Sequence, residues 1–444
     1  DLVVEMGRRE MNRYQKVLGV LLAVALCWPM IAGADELSDL KQELESQKTR
    51  AAALENRINQ LEARQKLKER TFDEKIEAVH AKDETAEPAQ LPDNLKWLEK
   101  IEISGDFRYR YEYIDDGTRD DDYHRNRIRA RIGITANVTD EWDVGLRLAT
   151  GSGDPVSSNL TLEESLSSKP IRLDQAYVDY HPNWLDGLDV TAGKVANPFH
   201  AVGKNELIWD GDLNPEGGAL GYERGLTEKT TMRINGGGFW LDQDSSGADP
   251  SLFGLQAFVR HQIDKPTYVL AGAGYFDYGN IKGQKSLTSR WSDDNYSLSG
   301  NTAAAGDPCS YGSDFDLIEV FAEFGTEVAG MPVSIWADWV KNTVATTSED
   351  TGWLIGGSIN KVRDPGSWQF SYDYRDIELD AVVGQFNASD FVGGGTGGNG
   401  HRFGFAYGLA KNTQAVLTYY VSEYSGRKSN EDYDRFQADL AVKF

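Results

Sequence analysis

Apolar and polar side chains alternate along most of the chain beyond residue 99, and this alternation predicts β-strands. In residues 101–113 the odd positions, apart from one glycine, are isoleucine, phenylalanine or tyrosine, and the even positions are serine or charged residues. Because the side chains of a strand point to opposite faces with period two, this segment has one apolar and one polar face. Residues 123–138 repeat the pattern, with isoleucine and alanine on one face and four arginines on the other.

Sixteen segments that alternate, or alternate with glycine interruptions, are predicted to be strands. They are residues 101–113, 123–138, 142–150, 171–180, 187–196, 217–223, 229–241, 252–263, 267–276, 314–324, 332–341, 353–362, 366–378, 400–410, 413–422 and 433–444. Each is close to the length that a tilted strand needs to cross a bilayer. Abundant glycine (45 residues) and aromatic residues (11 %) also suit strands and tight turns better than helices.

The connections between these segments alternate between short and long. Turns such as 139–141 and 411–412 are short, whereas 151–170, 277–313 and 379–399 are long. A soluble β-sandwich has no reason to place its long loops at one end, but outer-membrane barrels have short periplasmic turns and long external loops. Since every backbone N–H and C=O must be paired in hydrocarbon, a spanning sheet must close. We therefore predict an all-β transmembrane barrel of about 16 antiparallel strands, with both barrel ends of the chain in the periplasm.

The last predicted strand, residues 433–444, has an apolar face and ends on an aromatic residue, Phe444. This end resembles the closing strand of bacterial outer-membrane barrels, in which a final phenylalanine is part of the assembly signal. Taken alone, the segment is equally consistent with a half-buried strand of a soluble sandwich. The loop pattern decides in favour of the barrel.

Residues 1–34 are predicted to hold upstream residues and a cleaved export signal. A basic stretch precedes the apolar run 17–31, which leads into Ala32-Gly33-Ala34. This order of basic, apolar and small residues is typical of secretory signals. A membrane anchor is the alternative, but the run is short and Pro29 interrupts it.

Residues 35–79 have a seven-residue apolar repeat that predicts an α-helical coiled coil in the periplasm. A lone helix on the barrel wall is the alternative. Residues 80–98, which contain Pro88 and Pro92, are predicted to be a linker, and residues 99–444 the barrel. The positions that fit the a and d sites of the repeat include Leu37, Leu40, Leu44, Ala51, Leu54, Ile58 and Leu61.

The chain is strongly acidic, with a formal net charge of −24, and the acidic excess lies beyond residue 70. An acidic body argues against nucleic-acid binding. Solubility is one explanation, and an acidic outer surface or pore that favours cations is the other. Removal of the signal removes Cys27 and leaves Cys309 as the single cysteine, so the fold is expected to form without an internal disulfide.

Three blocks carry a family resemblance: LDQAYVDYHP at 173–182, TAGKVANPF at 191–199 and LIWDGDLNPEGGAL at 207–220. With the export signal, coiled coil, barrel and terminal aromatic, the chain resembles the putative porin family of Gram-negative bacteria over residues 11–444. The resemblance implies passive diffusion across the outer membrane and no particular solute. The phosphate-selective porins share this plan but are expected to line the path with lysines, and this acidic barrel departs from that.

No linear motif for catalysis or metal binding occurs in the sequence. The six histidines are scattered singly, and G-x-S-x-G, HExxH and paired-cysteine spacings are absent. A barrel hydrolase can assemble its residues across strands, which is the alternative. We expect no enzymatic activity, no cofactor and no metal.

The candidate site is electrostatic. Arginine facing lipid would cost several kcal/mol near the bilayer midplane, so the arginines of the first two strands must face the lumen. The long connection 197–216 is acidic, and in general porins the corresponding loop folds inward and narrows the channel. Opposed charges would set a transverse field that sorts solutes by charge. Alternatively, the arginines only pair with neighbouring acids such as Glu102 and Asp106. The predicted pore-lining and constriction residues are Arg108, Arg110, Arg125, Arg127, Arg129, Arg131, Glu206, Asp210, Asp212 and Glu216.

Together these features predict an outer-membrane porin for passive diffusion of small hydrophilic solutes and ions through a charge-lined, water-filled pore. One alternative is a phosphate- or anion-selective porin, and another is a structural tether in which the coiled coil joins the outer membrane to the cell wall. The expected partners are outer-membrane lipid and lipopolysaccharide, further copies of the chain in a homotrimer, and the barrel assembly machinery acting on the strand that ends in Phe444. Cell-wall contact of the coiled coil belongs to the tether hypothesis, and no nucleic-acid partner is expected.

Overall fold

The alternating segments form strands where the sequence predicts them. The computed structural model describes residues 93–444, except 244–247, 288–296 and 428–429, together with Glu45 and Lys48. The expected export signal, the coiled coil and the linker up to residue 92 lie outside the described residues, apart from those two positions. The part of the linker that is described, Asp93–Lys100, forms a 3-10 helix directly before the first strand.

The described residues form nineteen strands. These are β1 (Ile101–Asp116), β2 (Tyr123–Thr139), β3 (Trp142–Thr150), β4 (Leu160–Thr161), β5 (Ile171–Tyr180), β6 (Leu188–Lys194), β7 (Glu216–Thr227), β8 (Thr230–Trp240), β9 (Ser251–Gln262), β10 (Tyr268–Gly279), β11 (Ala303–Ala304), β12 (Asp307–Tyr311), β13 (Phe315–Val328), β14 (Met331–Asn342), β15 (Thr351–Asn360), β16 (Trp368–Ile377), β17 (Gly398–Ala410), β18 (Thr413–Tyr424) and β19 (Asp432–Lys443). Short 3-10 turns occur at Val202–Lys204 and Phe391–Gly393.

All strands except β4, β11 and β12 build one closed antiparallel barrel. Each wall strand pairs with the wall strands before and after it in the chain. The barrel closes where β1 pairs with β19, from Asp106 opposite Lys443 to Asp116 opposite Tyr433. The sheet therefore has no free edge, as a sheet in hydrocarbon requires. This confirms the prediction of a transmembrane barrel of about sixteen strands.

The two ends of the barrel differ as the loop pattern predicts. At one end lie the short turns, together with the start of β1 and the end of β19. At the other end lie the long loops, of which two matter below: the β6–β7 loop (residues 195–215) and the β16–β17 loop (residues 378–397). The long loops contain three short strands: β4 pairs with the wall strand β2, and β11 pairs with β12.

The outer face of the wall is apolar and the inner face is polar. In β1, Phe107 and Tyr109 on the outer face are 41 % and 40 % exposed. Arg110 and Glu112, which follow on the inner face, are 5 % and 0 % exposed. Isolated apolar side chains are common on protein surfaces, but a continuous apolar band around a barrel indicates contact with lipid. Among the described residues, no helix has the length and apolarity needed to cross a membrane.

The interior holds an apolar core on one side of the bore. A barrel of this size is too wide for its wall side chains to fill, so the inward loops occupy part of it. Phe199 and Trp209 of the β6–β7 loop stack on each other, with ring centroids 5.9 Å apart, and both contact Phe276 of the wall. Phe386 of the β16–β17 loop stacks on Tyr278. The charged side of the bore holds the cavities described below.

Candidate functional site

Six arginines of β1 and β2 project into the bore, on the face opposite the lipid-facing residues. We call Arg108, Arg110, Arg125, Arg127, Arg129 and Arg131 the arginine stripe. The strand register places Arg108 opposite Arg129 and Arg110 opposite Arg127. Like charges directly opposite each other repel, so the stripe needs carboxylates or water around it.

Carboxylates of the wall supply part of this compensation. Asp439 of β19 accepts two parallel hydrogen bonds from Arg110, at 2.7 and 2.8 Å. Asp106 accepts bonds from Arg131 at 2.6 Å and from Arg129 at 2.9 Å. Such bidentate and bridging pairs fix the direction of each guanidinium. The alternative interpretation of the stripe was that its arginines only pair with neighbouring acids such as Asp106. The pairing with Asp106 does occur, but the same arginines also contact Asp212 of the β6–β7 loop, as described below.

The β6–β7 loop is fastened to the wall opposite the stripe. The backbone N–H of His200 donates to Gln256 Oε1 at 2.7 Å, and the N–H of Gly203 donates to Glu323 Oε2 at 3.2 Å. Asn205 Nδ2 donates to Asp338 Oδ2 at 2.8 Å. The side chains of Val202 and Leu207 in the same stretch are fully buried. The loop is thus held inside the barrel by polar anchors and by its own apolar residues.

Asp212 connects this loop to the arginine stripe. Its Oδ1 accepts from Arg131 at 3.2 Å and from Arg129 at 3.5 Å. Its Oδ2 accepts from the backbone N–H and the hydroxyl of Ser158, at 3.1 and 2.9 Å. Burial acts to raise the pKa of Asp212, but Arg129, Arg131 and the Ser158 donors outweigh it and lower the pKa below its ordinary value. Asp212 therefore remains ionised.

Glu206 and Asp210 of the same loop behave differently from Asp212. Burial, with the nearby charges of Glu206 and Asp212, raises the pKa of Asp210 well above its ordinary value. Burial and the charge of Asp390 raise the pKa of Glu206. Asp210 accepts from the backbone N–H of Ser389 at 2.9 Å, which opposes this shift without cancelling it. These two carboxyls take up protons at a higher pH than Asp212 does.

A second inward loop, β16–β17, completes the site through Asp390. Its carboxylate accepts from Arg435 at 2.7 Å, from Arg110 at 2.9 Å and from Gln437 at 2.9 Å. Burial would raise the pKa of Asp390, but the charges of Arg435 and Arg110 lower it far below its ordinary value. The two loops also join directly, since the N–H of Asp210 donates to the carbonyl oxygen of Phe386 at 2.8 Å.

Two cavities lie between these loops and the arginine stripe. A cavity of about 200 Å³ and a cavity of about 340 Å³ share four lining residues, Arg108, Arg129, Glu206 and Asp390. The larger one continues past Lys443 toward the short-turn end. On the long-loop side, a vestibule of about 710 Å³ contains Asp212 in its lining. Two arginines and the carboxylates of two loops therefore face each other across this space, which we call the constriction.

The structure brings most of the predicted site residues together and leaves the others apart. The two cavities are lined by Arg108, Arg110, Arg129, Glu206, Asp210 and Asp212, and Arg131 joins them through its bond to Asp212. Arg127 lies opposite Arg110 in the strand register and lines neither cavity. Arg125 lies farther along the stripe and pairs with the buried Glu112. Glu216 lines the vestibule and accepts from Lys194 at 2.9 Å, so it belongs to the entrance and not to the constriction.

Several charged residues of the site were not predicted. Arg435 and Asp439 lie on the polar face of the last strand, and the alternation that revealed the arginine stripe could have found them. Asp390 lies in a loop with no repeating pattern, and nothing in its local sequence indicates that it reaches Arg110 and Arg435. Its position depends on the folding of the whole loop.

A closed barrel with an apolar outside, a charged bore and inward loops defines the class of outer-membrane porins. A family model described as "Putative porin" matches residues 116–306 and 315–444. The chain belongs to this family and is a porin of the outer membrane.

Two solved structures align with most of this chain, and the first of them supports the fold. Pseudomonas putida OprB, in a structure determined at high pH, has a TM-score of 0.54 and 11 % identity, and the match covers 79 % of this chain and 96 % of that one. A mutant of the Rhodopseudomonas blastica porin has a TM-score of 0.45 and 14 % identity, with 78 % of this chain and all of that one covered. No curated protein sequence matches the chain.

Proposed function

We propose that this porin allows small hydrophilic solutes and ions to diffuse passively through the open bore, and that the constriction sorts them by charge with a modest preference for cations. The observation that carries the proposal is the contact of Asp212 with Arg129 and Arg131 across the bore. Charges of opposite sign on facing walls create a transverse field that orders water and acts on passing solutes. The carboxylates of both loops add negative potential to an already acidic chain.

Replacing Asp210 and Asp212 together by asparagine tests the role of the β6–β7 loop. Loss of these charges is expected to move the ion selectivity toward anions. Removing charge at the edge of a water-filled path changes the local energy of an ion by about 1 kcal/mol, which corresponds to about a fivefold change in the permeability ratio. The measurement is the reversal potential of the purified full chain in planar bilayers under a KCl gradient. Asp140→Asn, in an exposed turn between β2 and β3, is the matched control. An unchanged reversal potential in the double variant would show that the loop is not the filter.

The raised pKa values of Glu206 and Asp210 predict a pH-dependent selectivity. Both carboxyls lose their charge on acidification before an ordinary aspartate or glutamate does, whereas Asp212 and Asp390 stay ionised beside their arginines. The cation preference should therefore decrease on acidification before the pH reaches the ordinary carboxyl range. Reversal potentials at several pH values measure this. The change should be much smaller in the Glu206→Gln/Asp210→Asn variant, and an equal change there would contradict the assignment.

An anion-selective porin is the second candidate, and Arg108 and Arg127 favour it. The carboxylate nearest to Arg108 is Asp439 at 3.8 Å, and the one nearest to Arg127 is Glu112 at 3.9 Å. The Nε atoms of both residues are buried and have no hydrogen-bond partner among the described residues. Loosely paired guanidiniums of this kind attract phosphate. The sign of the wild-type reversal potential, and inhibition of chloride current by inorganic phosphate, would distinguish this candidate from the first.

We also propose that residues 35–79 form a periplasmic coiled coil that is separate from the conduction path. Deleting these residues should leave the single-channel conductance unchanged, because the constriction is built by residues beyond 105. If the segment is a tether to the cell wall, the deletion instead weakens envelope integrity, measured as sensitivity to detergent. A changed conductance with an intact envelope would show that the segment contributes to the pore.

A further inference from the structure

Two aspartates and a histidine converge at the short-turn end of the bore, far along the wall from the constriction. Asp143 of β3 lies directly opposite Asp179 of β5 in the strand register. His181 follows the end of β5, and its Nε2 lies 3.3 Å from Asp143 Oδ2. One ligand atom from each of the three residues lies within 4.8 Å of the others. Asp179 and His181 lie two residues apart at the end of β5, and the sheet register brings Asp143 of β3 to them.

This arrangement is unfavourable without a positive charge between the carboxylates. Like charges directly opposite each other on neighbouring strands destabilise a sheet. Asp143 has partners, since its Oδ1 accepts from Asn137 Nδ2 at 2.8 Å and its Oδ2 faces His181. Asp179 Oδ1, in contrast, is shielded from solvent and has no hydrogen-bond partner among the described residues. An enclosed, unpaired carboxylate oxygen is costly and calls for a ligand.

We propose that Asp143, Asp179 and His181 bind one divalent transition-metal ion, with Zn²⁺ as the representative. One imidazole and two carboxylates are a donor set that suits such ions and suits Ca²⁺ or Mg²⁺ less well. In a tetrahedral zinc site the donor atoms are about 3.3 Å apart, and Asp143 and His181 already have this separation. Small side-chain rotations bring the third donor in, and water completes the coordination.

The surroundings support binding and give the ion a route. The side chains of His181 and Asp143 are 38 % and 21 % exposed, so the site is open to the water of the bore. The bond from Asn137 orients the Asp143 carboxylate, as outer-shell residues do in metal sites. Of the nearby charges, Asp189 is 3.5 Å from Arg233 and is thereby compensated. A bound dication would make the periplasmic mouth of the pore less negative.

The test is zinc binding to the tag-free full chain in detergent, after removal of metals with EDTA. A Cys309→Ser background removes the free thiol as a competing ligand. Equilibrium dialysis with Zn²⁺ alone is expected to give one tightly bound ion per chain. The Asp179→Asn and His181→Gln variants should each bind at least tenfold more weakly, as loss of a ligand or its support does in such sites. Excess Mg²⁺ should not displace the zinc.

The matched control is His261→Gln, at the same end of the barrel, where the ring nitrogen Nδ1 bonds to the hydroxyl of Thr230. This variant should bind zinc as the parent does. The fold of each variant is checked by its heat-modified migration on gels and by its conductance without zinc. An unchanged zinc-free conductance also shows that a loss of zinc binding is independent of the proposed charge selectivity. In planar bilayers, zinc on the short-turn side should change the current of the parent and not of Asp179→Asn. Absence of stoichiometric zinc binding, or equal binding by His181→Gln, would overturn the proposal and leave only an Asp143–His181 ion pair.

Discussion

Replacing Gly203 by alanine is expected to push the β6–β7 loop out of its place and to widen the pore. Gly203 has φ = +59°, and an added Cβ would lie 2.2 Å from the Trp336 ring of β14. Trp336 is only 5 % exposed and packed in the interior, so it has no room to move away. The turn must then lift, which breaks the bonds from Gly203 to Glu323 and from Asn205 to Asp338.

The expected result is a larger single-channel conductance and weaker ion selectivity, because the same loop carries Asp210 and Asp212. Overpacking of an interior costs about 1–3 kcal/mol, so the temperature at which the barrel unfolds on gels should also fall. Gly306→Ala is the control, since Gly306 has φ = +82° and no heavy atom within 4 Å of its added Cβ. It carries the same backbone penalty without the clash. If both variants conduct alike, the loop is not held in the way we describe.

The sequence was sufficient to predict the wall of the barrel. All sixteen long strands lie where the alternation placed them, because lipid outside and water inside impose opposite requirements on successive residues. The strands that were missed, β4, β11 and β12, have two to five residues each and lie in the long loops. Segments of that length are too short to show a period, and β4 depends on a partner outside its own loop, the wall strand β2.

The site was predictable to the extent that it belongs to the wall. The arginine stripe followed from the cost of charge in lipid, and the acidic β6–β7 loop followed from its composition. The position of Asp390 did not follow from either. It depends on the packing of Phe386 against Tyr278 and on hydrogen bonds between two loops about 180 residues apart, such as that from the backbone N–H of Ser389 to the carboxylate of Asp210. Packing of this kind has no local signature in a sequence.

The apolar core on one side of the bore determines the position of the charged residues on the other. The aromatic core between the loops and the wall includes Phe199 and Trp209, which lie on either side of the anchors at Gly203 and Asn205. That core fixes the loops on one side, so their carboxylates are presented to the stripe on the other. In the proposed mechanism, selectivity therefore depends on this aromatic packing as well as on the charges. A change in the core should alter the channel as strongly as a change of charge.

Asp390 both supplies charge to the constriction and holds the β16–β17 loop in place. Asp390→Ala is therefore expected to have a large effect on stability and on selectivity. Its carboxylate binds Arg110, Arg435 and Gln437, and Arg435 is almost fully buried. Breaking a buried ion pair by removing one partner costs about 3–5 kcal/mol, because the remaining charge is left uncompensated. Glu112 still pairs with Arg435 and Asp439 with Arg110, so the loss should fall at the lower end of this range.

The variant should therefore unfold at a lower urea concentration and conduct with a shift toward anions, since two arginines lose a shared counter-charge at the constriction. Asp390→Asn separates the two causes, because it removes the charge and keeps a side chain that can accept a hydrogen bond from Arg110. It should shift the reversal potential nearly as far as alanine does, with a smaller loss of stability. Asp364→Ala, in an exposed turn at the opposite end, is the control and should do neither. Asp390→Ala with wild-type selectivity would mean that ions pass elsewhere in the bore, because a unit charge lost from the lining of the constriction must alter the potential there.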